Sequence, residues 1–423
     1  MKKNILVFPC GSEIGLEIYR SLKYSIHFNL IGGNSVNDHG SFVYENYVED
    51  IPFVDDPVFI QKLNQVISDY KIDLLYPTMD AVIAHLGVLE KQINCPIVGS
   101  PPVTSTICVS KKKTTALLAF YVDMPFVIEE VADIKEFPVF LKPEIGYSGR
   151  NTTIANSREE VISHLKKIPG CMIMEYLPGE EYTIDCFTSK SGKLLFSGAR
   201  LRKRISNGIS VNSVAADESI NNELKNISEI INEHLSLRGA WFYQVKRSTE
   251  GKLKVMEVAA RLGGSSALFR AKGINFALLT VWDALGTDVE IIENNYFLEI
   301  DRALDHKFKI HIEYKKVFVD FDDTLLIDKK VNIELIAFLY QCRNENKEII
   351  CITRHVENIQ TTLEYYRLNN LFDRIIHLSN REPKSLFIEP ESIFIDDSFA
   401  ERKEVAALNI PVFAPDMVNA LIK

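Results

Sequence analysis

Short apolar runs alternate with amphipathic stretches along the first hundred residues and predict α/β structure. Four runs have the length of buried strands: ILVFP (4–8), FNLIGG (28–33), DLLYPT (73–78) and IVGSP (97–101). Helical periodicity lies between them, with Leu16, Ile18 and Leu22 on one side and again over 58–69. Because strands that alternate with helices form a parallel sheet covered on both faces, residues 1–102 are predicted to form such a sheet.

The strand, glycine turn and helix at the start of the chain resemble the first part of a Rossmann-like unit. The turn reads GSEIG, with Gly11 and Gly15, and lacks the full dinucleotide fingerprint. A scaffolding or substrate-side role is therefore favoured over nucleotide binding for this region.

Residues 137–150, FPVFLKPEIGYSGR, combine a short apolar strand with a lysine and a loop of small residues. Lys142 stands directly before Pro143, which favours an extended approach and cannot continue a hydrogen-bonded ladder. Gly146, Ser148 and Gly149 belong to a loop whose backbone N–H groups could close over a polyphosphate while Lys142 supplies positive charge. A strand that ends in an ordinary surface turn explains the same residues.

Two basic clusters are further candidates for binding an anion. Residues 110–113 (Ser-Lys-Lys-Lys) stand at the head of a predicted helix, where three lysines oppose the helix dipole. Arg200, Arg202 and Arg204 alternate on one face of a strand-like stretch. A solvated charge run and an edge strand protected by charge are the alternatives for the two clusters.

Residues 240–247 and 252–258 are predicted to form the arms of a β-hairpin. Gln244 and Glu257 lie on opposite arms, where cross-strand neighbours can reach one Mg²⁺ ion with their oxygens. Arg261 follows Glu257 by four residues. The hairpin is therefore a candidate metal site with a cation beside it.

Composition is that of an ordinary globular protein and excludes several kinds of partner. Of its 423 residues, 46% are hydrophobic and 25% are charged, and the net charge of −9 gives no reason to expect nucleic acid or an anionic membrane surface. The seven cysteines are scattered without a CxxC pair, which favours reduced thiols over a zinc site. No apolar run reaches the length of a membrane span or a signal peptide. We therefore expect a cytoplasmic protein.

From Lys315 onward, three apolar strands each end in polar side chains. The residues that follow these strands, with a lysine before the last, are Asp320, Asp322, Thr353, Lys384, Asp396 and Asp397. Strand ends meet at one edge of a parallel sheet, where α/β proteins bind ligands. Any one of these acids could cap a helix, whereas all of them in this order favour a single site.

Taken together, the ordered elements of residues 1–312 resemble the ATP-grasp superfamily, especially carbamoyl phosphate synthase-like members and carboxylate–amine ligases. The resemblance implies a Rossmann-like pre-ATP-grasp domain over 1–102 and an α+β ATP-grasp domain over 103–312. It assigns Lys111 and Lys142 to the phosphates of ATP. The loop 146–149 would be a mobile flap.

The resemblance also implies which residues would contact the adenine and the ribose of the nucleotide. Glu175 and Leu177 would present the hinge to adenine, largely through backbone atoms, and Glu181 would hold the ribose. Arg202 matches an arginine that such ligases use near a phosphate or an acyl substrate.

By the same resemblance, Gln244 and Glu257 would hold Mg²⁺ and Arg261 would contact the transferred phosphoryl group. One residue departs from the family pattern Glu-x-Asn-x-Arg, since EVAAR has Ala259 in the third position. The missing amide oxygen removes one metal ligand, so either a water replaces it or a second metal binds less tightly. This affects the metal count more than the reaction class.

The second set of strand ends resembles the haloacid dehalogenase (HAD) phosphohydrolase superfamily over residues 313–423. The resemblance makes Asp320 the nucleophile and Asp322 the general acid and base, with Thr353 and Lys384 on the phosphoryl oxygens. The candidate metal ligands are Asp320, Asp322, Asp396 and Asp397. The segment between Asp322 and the next strand end leaves no room for a cap, so we expect a capless, HAD-like Rossmannoid domain that is open to a bulky or tethered substrate.

The sequence therefore predicts a bifunctional enzyme. An ATP-dependent, ADP-forming carboxylate–amine ligase would be fused to a Mg²⁺-dependent phosphatase. Its partners would be ATP, a small carboxylate, an amine, and a phosphorylated small molecule at the second site, with no nucleic acid and no membrane; assembly into a homo-oligomer is left open. An ATP-dependent kinase and a nucleotide-sensing regulatory protein are the alternatives.

Overall fold

The computed structural model describes residues 2–146, 149–303, 305, 308, 310–379 and 382–423. It divides into two compact units, Met1–Leu304 and Asp305–Lys423. The finer division of the first unit at residue 102 stays a prediction. None of the helices in the described part of the chain has both the length and the apolar character that a bilayer crossing requires.

The first unit contains a parallel sheet followed by two antiparallel sheets. Its strands are β1 Lys3–Phe8, β2 Phe28–Gly33, β3 Asn46–Val48, β4 Leu74–Pro77, β5 Val127–Ile128, β6 Val139–Pro143, β7 Thr153–Ala155, β8 Cys171–Glu175, β9 Glu181–Thr188, β10 Leu194–Ser206, β11 Ile209–Ala215, β12 Gly239–Arg247, β13 Leu253–Ala259 and β14 Glu299–Asp301. Its helices are α1 Glu13–Leu22, α2 Gly40–Val43, α3 Phe59–Asp69, α4 Asp80–Val88, α5 Pro102–Val109, α6 Lys111–Leu118, α7 Arg158–Lys167, α8 Glu218–His234, α9 Ala267–Ala271 and α10 Phe276–Ala284.

The parallel sheet has the order β3-β2-β1-β4, so the first strand in sequence, β1, lies between β2 and β4. Apolar residues of α1 and α10 pack on one face, and those of α3 and α4 pack on the other. The strand predicted at 97–101 is replaced by a single parallel bridge between Ile97 and Leu75. Pro101 and Pro102 end it because they lack backbone donors, and Pro102 begins α5 instead.

The two antiparallel sheets carry most of the predicted nucleotide and metal residues. One has the order β5-β8-β6-β7 and the other β13-β12-β9-β10-β11-β14. The stretch read as one strand-like segment is the hairpin of β10 and β11, and its turn residues Asn207 and Gly208 both have positive φ. Two consecutive positive φ values are typical of a tight hairpin turn. In the sheet β10 lies beside β9, and the turn of the hairpin lies next to Gly149.

The second unit is built on one parallel sheet. Its strands are β15 Lys316–Val319, β16 Leu326–Ile327, β17 Lys330–Val331, β18 Glu348–Thr353, β19 Arg374–His377, β20 Ser392–Ile395 and β21 Val412–Phe413, and its helices are α11 Ile333–Asn344, α12 Ile359–Tyr365 and α13 Phe399–Ala406. The sheet order β19-β18-β15-β20-β21 puts β15 at the centre, with buried apolar clusters on both faces. The carboxyl ends of β15, β18 and β20 therefore lie side by side at one edge.

Candidate active sites

Lys142 is a buried cation near the end of β6. The residue is only 8% exposed, and its Nζ donates to the Met256 carbonyl oxygen at 3.1 Å. Burial lowers the pKa of Lys142 to about 8, against the attraction of Glu257 and with the repulsion of Lys111. Lys142 has no ion-pair partner among the described residues, and a desolvated lysine of this kind needs an anion from elsewhere, which makes this position a good phosphate site.

Lys111 connects the start of α6 to the loop 146–149. The Lys111 ammonium donates to the carbonyl oxygens of Glu144, at 3.4 Å, and Gly146, at 3.2 Å. Ser110 caps α6 and donates to the Glu144 carboxylate at 2.5 Å. The predicted phosphate residues Lys111 and Gly146 are thus brought together, whereas the loop position predicted at Ser148 lies outside the described residues.

Gly149 resumes the described chain on the far side of this loop. Its φ is +62°, and a Cβ there would lie 3.1 Å from Cα of Gly208 in the β10–β11 turn. The loop therefore ends against that turn, and a larger residue at 149 would be strained by its backbone and crowded by its neighbour.

Arg202 contacts both Glu181, the predicted ribose residue, and Gln244, a predicted metal ligand. Its Nη1 contacts the Glu181 carboxylate and donates to Gln244 Oε1 at 3.2 Å, while Nη2 donates to the Gly208 carbonyl oxygen at 2.8 Å. Lys246 lies 3.6 Å from the second oxygen of Glu181. Burial lowers the pKa of Arg202, against the attraction of Glu257 and Glu13.

The other two arginines of β10 do not belong to this site. Arg200 forms a fully buried ion pair with Asp185 at 2.6 Å. Arg204 is 61% exposed and pairs with Asp301 at 2.7 Å. Register shifts at and beyond Arg202 break the regular alternation that the sequence suggested. The prediction of one anion site formed by three arginines is wrong.

Gln244 and Glu257 are direct partners in the register of β12 and β13, as the sequence predicted. No described residue hydrogen-bonds the Glu257 carboxylate, which leaves its oxygens available to a cation. Ala259 is buried opposite Phe242 in the same ladder. The oxygens of Gln244 and Glu257 fit Mg²⁺ and would hold it, since this ion is usually bound by only one or two protein carboxylates.

Glu175 is fixed at the predicted adenine hinge by its own contacts. Its carboxylate accepts from Lys254 Nζ at 2.8 and 2.6 Å. Its backbone N–H donates to the Phe126 carbonyl oxygen at 3.0 Å and is therefore not free for a base. Leu177 is buried beside it.

Two residues that sequence reasoning missed reach this region from the parallel sheet. Asp80, the first residue of α4, accepts from Arg261 Nη2 at 2.7 Å. Glu13, the first residue of α1, pairs with Arg302 and lies where a Cβ on Gly264 would collide with it. Both acids follow the carboxyl end of a parallel strand, and that placement was the signal available in the sequence.

The lowered pKa of Lys142 predicts how nucleotide affinity depends on pH. The phosphates of ATP attract the protonated form, so affinity is full below pH 8 and falls as pH rises through about 8, where the free protein loses this proton. Titrating MgADP by calorimetry between pH 6.5 and 9.5 measures this. The decline above pH 8 should vanish in Lys142→Met; the same decline in that variant would assign it to another group.

In the second unit, Lys384 is held between two carboxylates at the sheet edge. Its Nζ lies 2.7 Å from Asp320 Oδ1 and 2.6 Å from Asp396 Oδ2, and all three side chains are buried. Burial raises the pKa of Asp320 to about 7, with Asp396 adding to the rise and Lys384 opposing it. The two strand-end acids and the lysine predicted from sequence thus converge on one point.

The acids at this edge also fit a divalent cation. Single ligand atoms of Asp320, Asp396 and Asp397 lie within 4.8 Å of one another. Thr324, which sequence reasoning missed, donates to Asp397 Oδ1 at 3.2 Å and accepts from its backbone N–H at 2.9 Å. A carboxylate set oriented in this way suits Mg²⁺, which prefers oxygen ligands.

Asp322 lies outside that group and pairs with His355, a second residue that was missed. His355 Nδ1 is 3.0 Å from both Asp322 oxygens, and its backbone N–H donates to Thr353 Oγ1 at 3.1 Å. Its Nε2 lies 2.9 Å from Thr362 Oγ1, whose hydroxyl donates to a carbonyl oxygen. His355 therefore contacts Asp322 through one ring nitrogen and Thr362 through the other.

Comparison with known proteins bears on the first unit. Residues 167–303 match the family model described as "ATP-grasp in the biosynthetic pathway with Ter operon". D-alanine–D-alanine ligase A of Clostridium perfringens is 28% identical over 152 residues, which cover 32% of this chain and 50% of that enzyme. The chain thus spans about half the length of the curated relatives it matches.

Solved structures share the fold of about two thirds of this chain or more at low identity. The biotin carboxylase domain of Hydrogenobacter thermophilus 2-oxoglutarate carboxylase, solved with MgADP and bicarbonate, has 15% identity and a TM-score of 0.59 over 71% of this chain and 74% of that one. An L-amino acid ligase from Bacillus licheniformis has 19% identity and a TM-score of 0.52 over 67% and 74%. These comparisons show a sequence similarity to an ATP-grasp family model over residues 167–303 and a fold shared with the two solved enzymes.

Proposed function

We propose that the first unit is a carboxylate–amine ligase that consumes ATP, forms ADP and proceeds through an acyl phosphate. The observation that carries this proposal is the buried Lys142, whose pKa of about 8 leaves it charged at neutral pH beside Lys111 and Glu257. The resemblance to D-alanine–D-alanine ligase and to an L-amino acid ligase supports the same reaction class.

The chemistry needs no nucleophilic side chain. An oxygen of the substrate carboxylate attacks the γ-phosphorus of ATP, the acyl–phosphate bond forms, and the bond to the β-phosphate oxygen breaks to release ADP. The amine nitrogen then attacks the acyl carbon, the carbon–nitrogen bond forms, and inorganic phosphate leaves as the amine gives up a proton.

The side chains of this site act by position and charge. Lys142 and Lys111 bind phosphate oxygens, and Arg261 meets the negative charge on the moving phosphoryl group. Gln244 and Glu257 would hold Mg²⁺, which supplies further neutralisation of the phosphates when it is bound. Glu181, held by Arg202 and Lys246, would accept from the ribose hydroxyls.

The stoichiometric products test this mechanism. Small acids and amines are screened for stimulated ADP formation, and the products are resolved by anion-exchange chromatography. An acyl phosphate route gives ADP and inorganic phosphate together, whereas an adenylating enzyme gives AMP and pyrophosphate and would refute the proposal. A kinase gives ADP with a stable phosphorylated product and no released phosphate, and a nucleotide sensor binds ATP without turnover.

We also propose that the second unit is a phosphomonoesterase. Lys384 between Asp320 and Asp396, with Asp397 adjacent, is the observation that favours this. Asp320 would attack phosphorus and form an aspartyl phosphate as the ester oxygen leaves, with the Asp322–His355 pair supplying its proton. Water then attacks phosphorus, and the bond to Asp320 breaks to release inorganic phosphate.

A further inference from the structure

Asp80 is outside the set of residues that the sequence assigned to the ligase site, yet it contacts that site directly. It is the first residue of α4 and comes three positions after β4, at the carboxyl edge of the parallel sheet. Its Oδ2 lies 2.7 Å from Nη2 of Arg261, a residue 181 positions away in sequence. The contact is therefore an ion pair between two segments that are distant in sequence.

The other contacts of Arg261 hold only part of its guanidinium. Nη1 donates to the Leu262 carbonyl oxygen at 3.0 Å, and the group lies 5.3 Å from the centre of the Phe242 ring. Nε is buried and has no hydrogen-bond partner among the described residues. An arginine carries five N–H donors in a rigid fork, so fixing two of its nitrogens sets the direction of the rest.

The direction of the Arg261 guanidinium matters because a second anion, Glu257, competes for it. Burial alone would lower the pKa of Arg261, but the attraction of Asp80, Glu257 and Glu13 outweighs it and raises the pKa. Glu257 is a proposed metal ligand with no hydrogen-bond partner of its own in the described chain. Without Asp80, the guanidinium would gain from moving onto Glu257, where it would compete with Mg²⁺ and leave the phosphoryl group.

We infer that Asp80 is a positioning residue that holds Arg261 toward the transferred phosphoryl group and away from the metal ligand Glu257. This inference rests on the proposed function. It gives the region at the carboxyl edge of the parallel sheet an indirect part in phosphoryl transfer, because Asp80 anchors the arginine from there. Asp80 itself would not touch the nucleotide.

Nucleotide binding to the full chain separates this role from a merely structural one. Calorimetry measures the affinity for MgADP and for the Mg²⁺ complex of a non-hydrolysable ATP analogue, since only the second carries the phosphate that Arg261 meets. In Asp80→Asn, affinity for the analogue should fall about tenfold while affinity for MgADP stays within about twofold. Asp80→Glu, which keeps the charge, should restore part of the loss and serves as a second variant if Asp80→Asn folds poorly.

A matched control lies at the opposite end of the same strand. Asp73 precedes β4, is exposed to the same extent as Asp80 (29% and 30%), and pairs with Lys3 at the same 2.7 Å. Asp73→Asn should leave both affinities unchanged. In an Arg261→Ala background, adding Asp80→Asn should have no further effect on the analogue, because the two residues act through one contact.

The outcomes distinguish this inference from the function on which it rests. Loss of both nucleotide affinities in Asp80→Asn, or an additive effect with Arg261→Ala, would overturn the positioning role while leaving the ligase proposal in place. An unchanged preference for the analogue in Asp80→Asn would do the same. A wild-type chain that binds neither nucleotide would overturn the proposed function and this inference with it.

Discussion

Replacing Lys142 by methionine is expected to abolish ADP formation in a chain that stays folded. Methionine keeps most of the buried volume and removes a charge that is costly to desolvate, so packing is preserved. The phosphates lose a preorganised cation, for which a rate loss of at least about a hundredfold is expected. Glu257→Ala should have a similar effect, because no second acid replaces it in the Gln244–Glu257 pair. Coupled-enzyme detection of ADP and the thermal midpoint are measured on the same samples.

The hairpin supplies its own controls for both variants. Lys252 and Glu250 lie on the β12–β13 turn, are 61% and 75% exposed, and form an ion pair at 3.6 Å. Lys252→Met and Glu250→Ala repeat the same chemical changes outside the site and should keep wild-type rates, since exposed pairs contribute little. Wild-type ADP formation by Glu257→Ala would remove the metal assignment.

The parts of the two sites that local sequence could predict are those attached to strand ends. Lys142 was identifiable because a short apolar run and a proline fix where β6 stops. The Gln244–Glu257 pairing followed from the hairpin, since counting back from its turn sets the register of the two arms. Asp320 and Asp396 were identifiable because β15 and β20 are apolar runs that each end in an acidic pair.

The parts that could not be predicted depend on contacts between distant segments or on irregular backbone. The role of Asp80 depends on its contact with Arg261. The role of Thr324 depends on its contact with Asp397, which is 73 residues away in sequence. His355 follows a predicted strand, but nothing local indicates that Asp322 turns toward it rather than toward the other acids. The arginines of β10 were misread because a bulge and two local acids, Asp185 and Asp301, separate residues that ideal alternation would align.

Asp320→Asn is expected to remove Mg²⁺-dependent phosphatase activity, by roughly a thousandfold or more, and to leave ADP formation unchanged. An amide is a poor nucleophile toward phosphorus and a weaker metal ligand than a carboxylate, so both proposed roles of Asp320 are lost. The change is nearly isosteric, and it relieves the burial of a carboxyl group whose pKa is already raised to about 7, so the fold should persist. Two assays on one purified variant, p-nitrophenyl phosphate hydrolysis and ADP release with a stimulating acid and amine, measure the effect.

The separation expected in those assays follows from where the residues lie. Asp320, Asp322, Thr353, Lys384 and the Asp396–Asp397 pair all belong to the unit Asp305–Lys423, which has its own sheet and buried clusters on both faces. The proposed ligase residues end at Arg261, within the other unit. Asp416→Asn, at an exposed acid of the second unit, should leave both activities intact. A parallel fall of ADP formation and phosphatase activity in Asp320→Asn would mean that one reaction depends on the other, and the proposal of two independent enzymes would fail.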